Sequence, residues 1–413
     1  MFRFIISSIT VLATVIHVAH AQHVPLTIRE AILSASTNHP AARALEAEFR
    51  AAQSLRQQAA MRPNPEADFG AGYKDTDTDS GYALDVGLSF PIERSGKREA
   101  RMGVAESGIH IAEAGMRQFQ LDLELQVRTL AYEYLTAEAD AEIAREIAER
   151  SRAMIELLKQ RPAAGPAILL ELRVIEGSLV EFQKSAREFG AQRDSARSAL
   201  NILLGRADDA PLKLREDLLP PTNRFTMSDL STRLENSPAM LKRLAEIERA
   251  GKEAKMAILE AKPDIHVGPY YSREDVGEVE STIGLAMSVP LNWRNRNQGT
   301  IAAAKAREAK AEAELAAEII SARSDLARRL RIYESAVEQV QAIPVSQIES
   351  LHDAADLADR QYRQGAIPVQ LFLDMQREFL NVQLLRHNTL LESLTLAAEL
   401  EWLAGSAIEE NLP

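Results

Sequence analysis

Cysteine is absent from all 413 residues, which excludes disulfide staples, thiolate metal sites and a lipid carried on a cysteine. Aromatic residues reach only 5%, too few for the thick core of a large globular domain. Basic residues are outnumbered, 48 Lys and Arg against 60 Asp and Glu, and the net charge of −12 argues against a nucleic-acid partner. Long apolar runs are also lacking. The one at 4–18 is short for a helix that must span roughly 20 residues. With Arg3 before it and Ala19-His20-Ala21 after it, this run reads as a signal peptide over residues 1–21; the alternative is a retained anchor. An exported chain with no other apolar run meets a membrane again only through strands.

What is present is written twice. NHPA at 38–41 returns as NSPA at 236–239, and Pro65, Gly70 and Tyr73 return as Pro263, Gly268 and Tyr271, each 198 residues later. Pro91 returns as Pro290, and Gly165 and Gly205 return as Gly365 and Gly405. A constant offset over that distance marks a duplication. The repeats are expected over 22–205 and 226–413, joined by the Pro-rich stretch 206–225. Each copy predicts one opening helix, from about Thr27 to Met61 and from about Thr226 to Ala261, closed by Pro63 and Pro65 and by Pro263.

Two strands follow in each copy, at about 66–74 and 82–90, then at about 264–272 and 282–290. In the first pair Ala67, Phe69, Ala71 and Tyr73 alternate with Asp68, Gly70, Gly72 and Lys74. Tyr82, Leu84, Val86, Leu88 and Phe90 alternate in turn with Ala83, Asp85, Gly87 and Ser89. In the second pair Ile265, Val267 and Tyr271, then Ile283, Leu285, Met287 and Val289, hold the apolar positions. Segments of about ten residues, apolar on one side and small or polar on the other, suit a transmembrane barrel; a hairpin on a soluble core is the alternative. The acidic links at 75–80 and 273–280 read as surface loops.

The remaining length is helical. No proline lies between Pro91 and Pro162, and Leu123, Val127, Leu130, Tyr134, Ala137, Ala141, Ala144 and Ala148 keep 4-3 spacing. A second seam, Leu121, Leu125, Tyr132, Leu135 and Ala139, runs beside the first, so this helix has neighbours on two sides. Leu315, Ile319, Ala322, Leu326, Leu330, Tyr333, Val337 and Val340 form the counterpart, with a kink expected at Pro344. A four-stranded sheet has open edges that lipid cannot satisfy. Three chains would supply twelve strands, above the roughly eight of the smallest common closed barrel. The fold class expected is therefore mainly α with a small transmembrane β-barrel, completed by a homotrimer and continued by a tube of helices.

The chain resembles the TolC family of outer-membrane efflux proteins over essentially its whole mature length. The likeness rests on the repeated helix–strand–strand–long helix–helix order and on RPNPE at 62–66, FPIERSGKREAR at 90–101, VPLNWRNRNQG at 289–299 and YRQGAIPVQLFLD at 362–374. The second and third motifs are most similar to the CzcC-type branch, the outer components of tripartite heavy-metal efflux pumps of the RND class. The resemblance implies a passive export channel in the outer membrane of a Gram-negative bacterium, extending into the periplasm. Its implied partners are a periplasmic adaptor and an inner-membrane RND pump. It also implies an adaptor contact at the helix-to-helix turns, carried over to Arg363, Gly365 and Pro368, and to Arg161, Gly165 and Pro166. Asp374 and Glu171, just past those turns, are the candidate pore constriction, with a solvated helix face as the alternative for each. RPAAGPAILLE at 161–171 matches its partner motif only loosely.

No nucleophile, acid–base pair or cofactor loop is visible, so no enzyme, cofactor or resident metal is expected. The 8 histidines form no HxH or HxxxH pair, and His266 reads as a solvated residue on the polar side of its strand rather than a ligand. A general duct for drugs or secreted proteins is the rival within this fold. A pore-free periplasmic coiled-coil scaffold is the rival outside it, and the alternating strands speak against that one.

Overall fold

A computed structural model describes residues 25–94, 96–160 and 165–405; the expected signal peptide lies outside them. The first half contains α1 (Ile28–Asn38), α2 (Pro40–Ala59), β1 (Glu66–Asp75), β2 (Ser80–Ile92), α3 (Lys97–Lys159) and α4 (Gly165–Leu203). The second contains α5 (Met227–Glu235), α6 (Pro238–Glu260), β3 (Ile265–Val276), β4 (Glu278–Ser288), α7 (Gln298–Ala342), α8 (Val345–Arg363) and α9 (Val369–Leu403). Among the described residues no helix is long and apolar enough to cross a membrane.

The opening helix of each half is two helices, not one. A proline drives the residue before it out of the helical region. His39 accordingly sits at ψ 127 and Ser237 at ψ 151, and each caps a new helix whose first residue is Pro40 or Pro238. These corners meet the ends of α4 and α9. Gly405, at φ +73, lies so close to the second corner that a Cβ there would come within 2.7 Å of the Ser237 Cα. The repeated NxPA motif and the repeated glycine are thus two sides of one contact.

Helix α3 runs 63 residues, about 95 Å at 1.5 Å per residue. Leu123, Val127, Tyr134, Ala137, Ala141, Ala144 and Ala148 are buried along one seam, and Leu121 and Leu135 along the other. The helix packs on α2, α4, α6 and α9. The core is therefore a string of separate clusters along a shaft. One gathers α1, α3 and the linker through Ile28, Val127 and Leu214; another gathers α5, α7 and α9 through Leu230, Leu326 and Leu400. The linker is tied down by matching tyrosines: Tyr134 donates to the Leu212 carbonyl (3.2 Å) and Tyr333 to the Asn223 carbonyl (2.8 Å). Pro344 does more than kink its helix. Ile343 leaves the helical region at φ −115, ψ 76, and a new helix starts beyond the proline.

The four strands form one antiparallel sheet in the order β1-β2-β3-β4, leaving β1 and β4 as open edges. Both hairpins run longer than the sequence suggests. In particular, 273–280 is not a loop: β3 and β4 pair up to Val276 opposite Glu278, and Gly277, at φ +75, makes the turn alone. The acidic side chains there stay in the ladder because neither face of the strand end is packed.

Candidate functional site

The sheet has two faces of opposite character. In the ladder Phe69 stands opposite Val86, Val86 opposite Tyr271, and Tyr271 opposite Ile283, so one row crosses all four strands. Nothing among the described residues covers it: Ile283 is 83% exposed and Leu285 80%, with Phe69, Tyr82 and Met287 similarly bare. Contiguous apolar area on this scale marks a surface meant for lipid or protein.

The opposite face carries Asp68, Asp85, His266, Tyr270, Glu274 and Glu280 among glycines. The Tyr270 ring lies over Gly284, where a Cβ would meet it at 2.5 Å, so it fills the space a side chain would take. Lys74 bonds Glu274 at 2.6 Å, leaving the carboxylates in excess. Asp68, Asp85, Ser89, His266 and Ser288 line a shallow cavity of about 240 Å³. Among the described residues no group of three metal-ligating side chains occurs. Asp264, one residue before β3, accepts from Lys97 Nζ (2.8 Å) and the Arg94 N–H (3.0 Å) at the root of that strand. Partial burial opposes its ionisation, but those donors outweigh it and hold the carboxyl below its usual range.

At the far end of the shaft the end of α3 and the start of α4 lie beside the turn between α8 and α9. Met154, Leu158, Ile175, Tyr362, Phe372 and Leu373 form the cluster that joins these helix ends. Gly365 turns the chain at φ +75, exposed, with no atom near the position of a Cβ. Pro368 is exposed and starts α9. Arg363 is exposed and pairs with Asp359 at 2.7 Å. Of the companion turn, Arg161 lies outside the described residues, Gly165 begins α4, and Pro166 is exposed. Glu171 and Asp374 have different settings. Glu171 accepts a hydrogen bond from the Tyr362 hydroxyl at 3.0 Å, tying α4 to α8, whereas Asp374 is exposed and accepts from Gln370 at 2.8 Å.

Polar cross-ties join the two halves along the shaft, and sequence reasoning missed them all. Arg128 on α3 donates to Glu401 on α9 at 2.5 Å, and Asn223 of the linker donates to the same carboxylate at 2.7 Å. Burial alone would lower the Arg128 pKa, but Tyr132 and Glu401 outweigh it and hold the guanidinium charged. His387 and Asp140 meet at 2.5 Å, and Arg150 bonds Asp356. Their only signal in the sequence was a charged or polar residue interrupting an apolar seam.

A sheet bare on its apolar face, open at both edges and carried on a shaft of long helices, is the fold of an outer-membrane channel subunit. The outer membrane protein VceC of Vibrio cholerae matches it with a TM-score of 0.72 at 18% identity, over 92% of this chain and 97% of that one. The model of the outer membrane efflux protein family matches residues 31–206 and 230–406. The chain belongs to the outer membrane efflux protein family and is an efflux channel. The cobalt-zinc-cadmium resistance protein CzcC of Cupriavidus metallidurans is 27% identical over 300 residues, 72% of this chain and 70% of that protein. The nickel-cobalt-cadmium resistance protein NccC of Alcaligenes xylosoxydans xylosoxydans is 31% identical over 262 residues, 62% of this chain and 56% of that protein.

Proposed function

We propose that three copies of this chain, exported by a cleaved signal peptide over residues 1–21, close a twelve-stranded barrel in the outer membrane of a Gram-negative bacterium. The helices continue it as a tube through the periplasm. The sheet carries this reading: its apolar row is bare, and β1 and β4 leave two edges that hydrocarbon cannot satisfy. The halves 22–205 and 226–413 act as pseudo-symmetric repeats about the 206–225 linker, so three chains place six similar helix pairs round one axis. Mass measurement in detergent tests the assembly. Three chains per particle are expected, and a stable water-soluble monomer would overturn the barrel.

The tube receives cargo from a periplasmic adaptor and an inner-membrane RND pump, and conducts it passively without catalysis. Arg363, Gly365 and Pro368, with Arg161, Gly165 and Pro166, meet the adaptor at the helix-to-helix turns. Asp374 narrows the pore, and Glu171 steadies the turn through Tyr362. The cargo is divalent heavy-metal cations. The names of the two resistance proteins support this, as does the excess of Asp68, Asp85, Glu274 and Glu280 over Lys74 on the polar face, which lowers the barrier to cations. A deletion strain should lose resistance to zinc, cobalt or cadmium before it loses resistance to hydrophobic drugs. Sensitivity to drugs alone would leave a general duct and remove the metal cargo.

A further inference from the structure

The chain carries a net charge of −12, yet the rim where its strands pass into its helices is basic. The described residues of four segments make this rim: 60–65, 92–97, 261–264 and 289–297. Among the described residues their acids are both engaged, Glu93 by Arg101 at 3.1 Å and Asp264 by Lys97 at 2.8 Å. Arg62, Arg94, Lys262, Arg294 and Arg296 are exposed and have no acidic partner among the described residues.

The segment after β4 adds apolar anchors to these charges. The alternation Ile283, Leu285, Met287 and Val289 runs on past the strand to Leu291 and Trp293, 76% and 77% exposed. The backbone here is held, although it belongs to no strand or helix. Asn292 donates its amide to the Ala261 carbonyl and Asn297 to the Ala257 carbonyl, both at 3.0 Å, clamping the segment to the end of α6. Asn297 sits at φ +60, and the Arg296 and Asn297 N–H groups bond Gln298 and Asn295. An indole and two guanidinium groups are therefore presented on a fixed frame, continuous with the bare apolar row.

We propose that this rim is a docking site for anionic phospholipid headgroups of the periplasmic leaflet, with Trp293 and Leu291 seated at the acyl boundary and Arg294 and Arg296 on the phosphates. The proposal rests on the reading of the sheet as a membrane barrel and names the lipid chemistry its rim selects. Amphipathic rings favour that depth, and guanidinium pairs with phosphate in a planar, bidentate fashion. The asymmetry of the rim is informative. After β2 Lys97 and Arg101 are consumed by Asp264 and Glu93 and only Arg94 is left, whereas after β4 both arginines remain free for an outside partner.

The chain has 2 tryptophans, which makes the test direct. Trp402 lies in the helical shaft with its indole bonded to Asp122 at 2.6 Å, so Trp402→Phe isolates the Trp293 signal. The reciprocal Trp293→Phe protein gives the Trp402 signal for subtraction if the first variant fails to fold. The full-length protein is reconstituted into phosphatidylcholine vesicles containing a fixed fraction of brominated phosphatidylglycerol or of brominated phosphatidylcholine. Trp293 should be quenched more strongly by the anionic lipid. Arg294→Gln with Arg296→Gln should cut that preference on the order of tenfold, and raised salt should weaken it. Equal quenching by both lipids would overturn the proposal, and no quenching by either would place Trp293 against a neighbouring subunit instead. Ion conductance through the same vesicles separates the two readings. Without conductance the channel itself fails; conductance with equal quenching removes only the lipid site.

Discussion

Replacing Glu401 by leucine should uncouple three segments that are distant in sequence. This carboxylate accepts from Arg128 on α3 and from Asn223 of the linker, while itself lying on α9. The side chains of Arg128 and Glu401 are 11% and 9% exposed, so little water reaches either. The substitution leaves Arg128 with Tyr132 and with Glu124, the latter at 3.6 Å on its own helix. A buried charge deprived of its partner costs about 3 kcal/mol or more. At roughly 2–4 °C per kcal/mol, the apparent Tm in detergent should fall on the order of 6–12 °C at a fixed scan rate. The double variant Arg128→Met/Glu401→Leu removes both charges and should recover to within about 1 kcal/mol of the parent. A fall under about 2 °C for Glu401→Leu, or a double variant less stable than either single one, would refute the reasoning.

Gly365→Asn, which tolerates the left-handed backbone, should keep both trimer and metal resistance, whereas Gly365→Asp should keep the trimer and lose resistance; normal resistance in the Asp variant would remove Gly365 from the adaptor contact. Gly405→Ala should cost about 2 kcal/mol or more, and more than Gly205→Ala, because its Cβ would meet the Ser237 Cα at 2.7 Å while that at Gly205 meets the Asn38 Cβ at 3.2 Å; equal chemical-denaturation midpoints would contradict this. Burial, reinforced by Glu138 and Glu401 respectively, pushes the Tyr134 and Tyr333 hydroxyls up to about 12. A phenol whose folded value is raised holds its proton more tightly when folded. Its stabilisation is complete below the unfolded value near 10 and is lost as pH rises through about 12. Denaturation midpoints of Tyr134→Phe/Tyr333→Phe should therefore fall less steeply over that alkaline window than those of the parent.

Local pattern alone determined much of this molecule. A period of two is readable wherever one face of a strand is apolar, and the alternation from Ala67 to Phe90 placed both first-half strands to within two residues. The seam from Leu123 to Ala148 likewise marked one uninterrupted helix, because nothing between Pro91 and Pro162 could break it. Other features depend on contacts that no short window contains. The NHPA corner looked like helix on both sides, and its break acquires its purpose only where Gly205 or Gly405 packs against it from the end of another helix. Asp264 alternated like a polar-face residue, yet Lys97, far along the chain, claimed it. Arg128, Glu401 and Asn223 are unremarkable singly, and only the crossing of α3, α9 and the linker makes them one buried tie. Pattern reports which side of an element avoids water. Only the tertiary structure decides which distant group meets each charge there, because that depends on how whole helices cross.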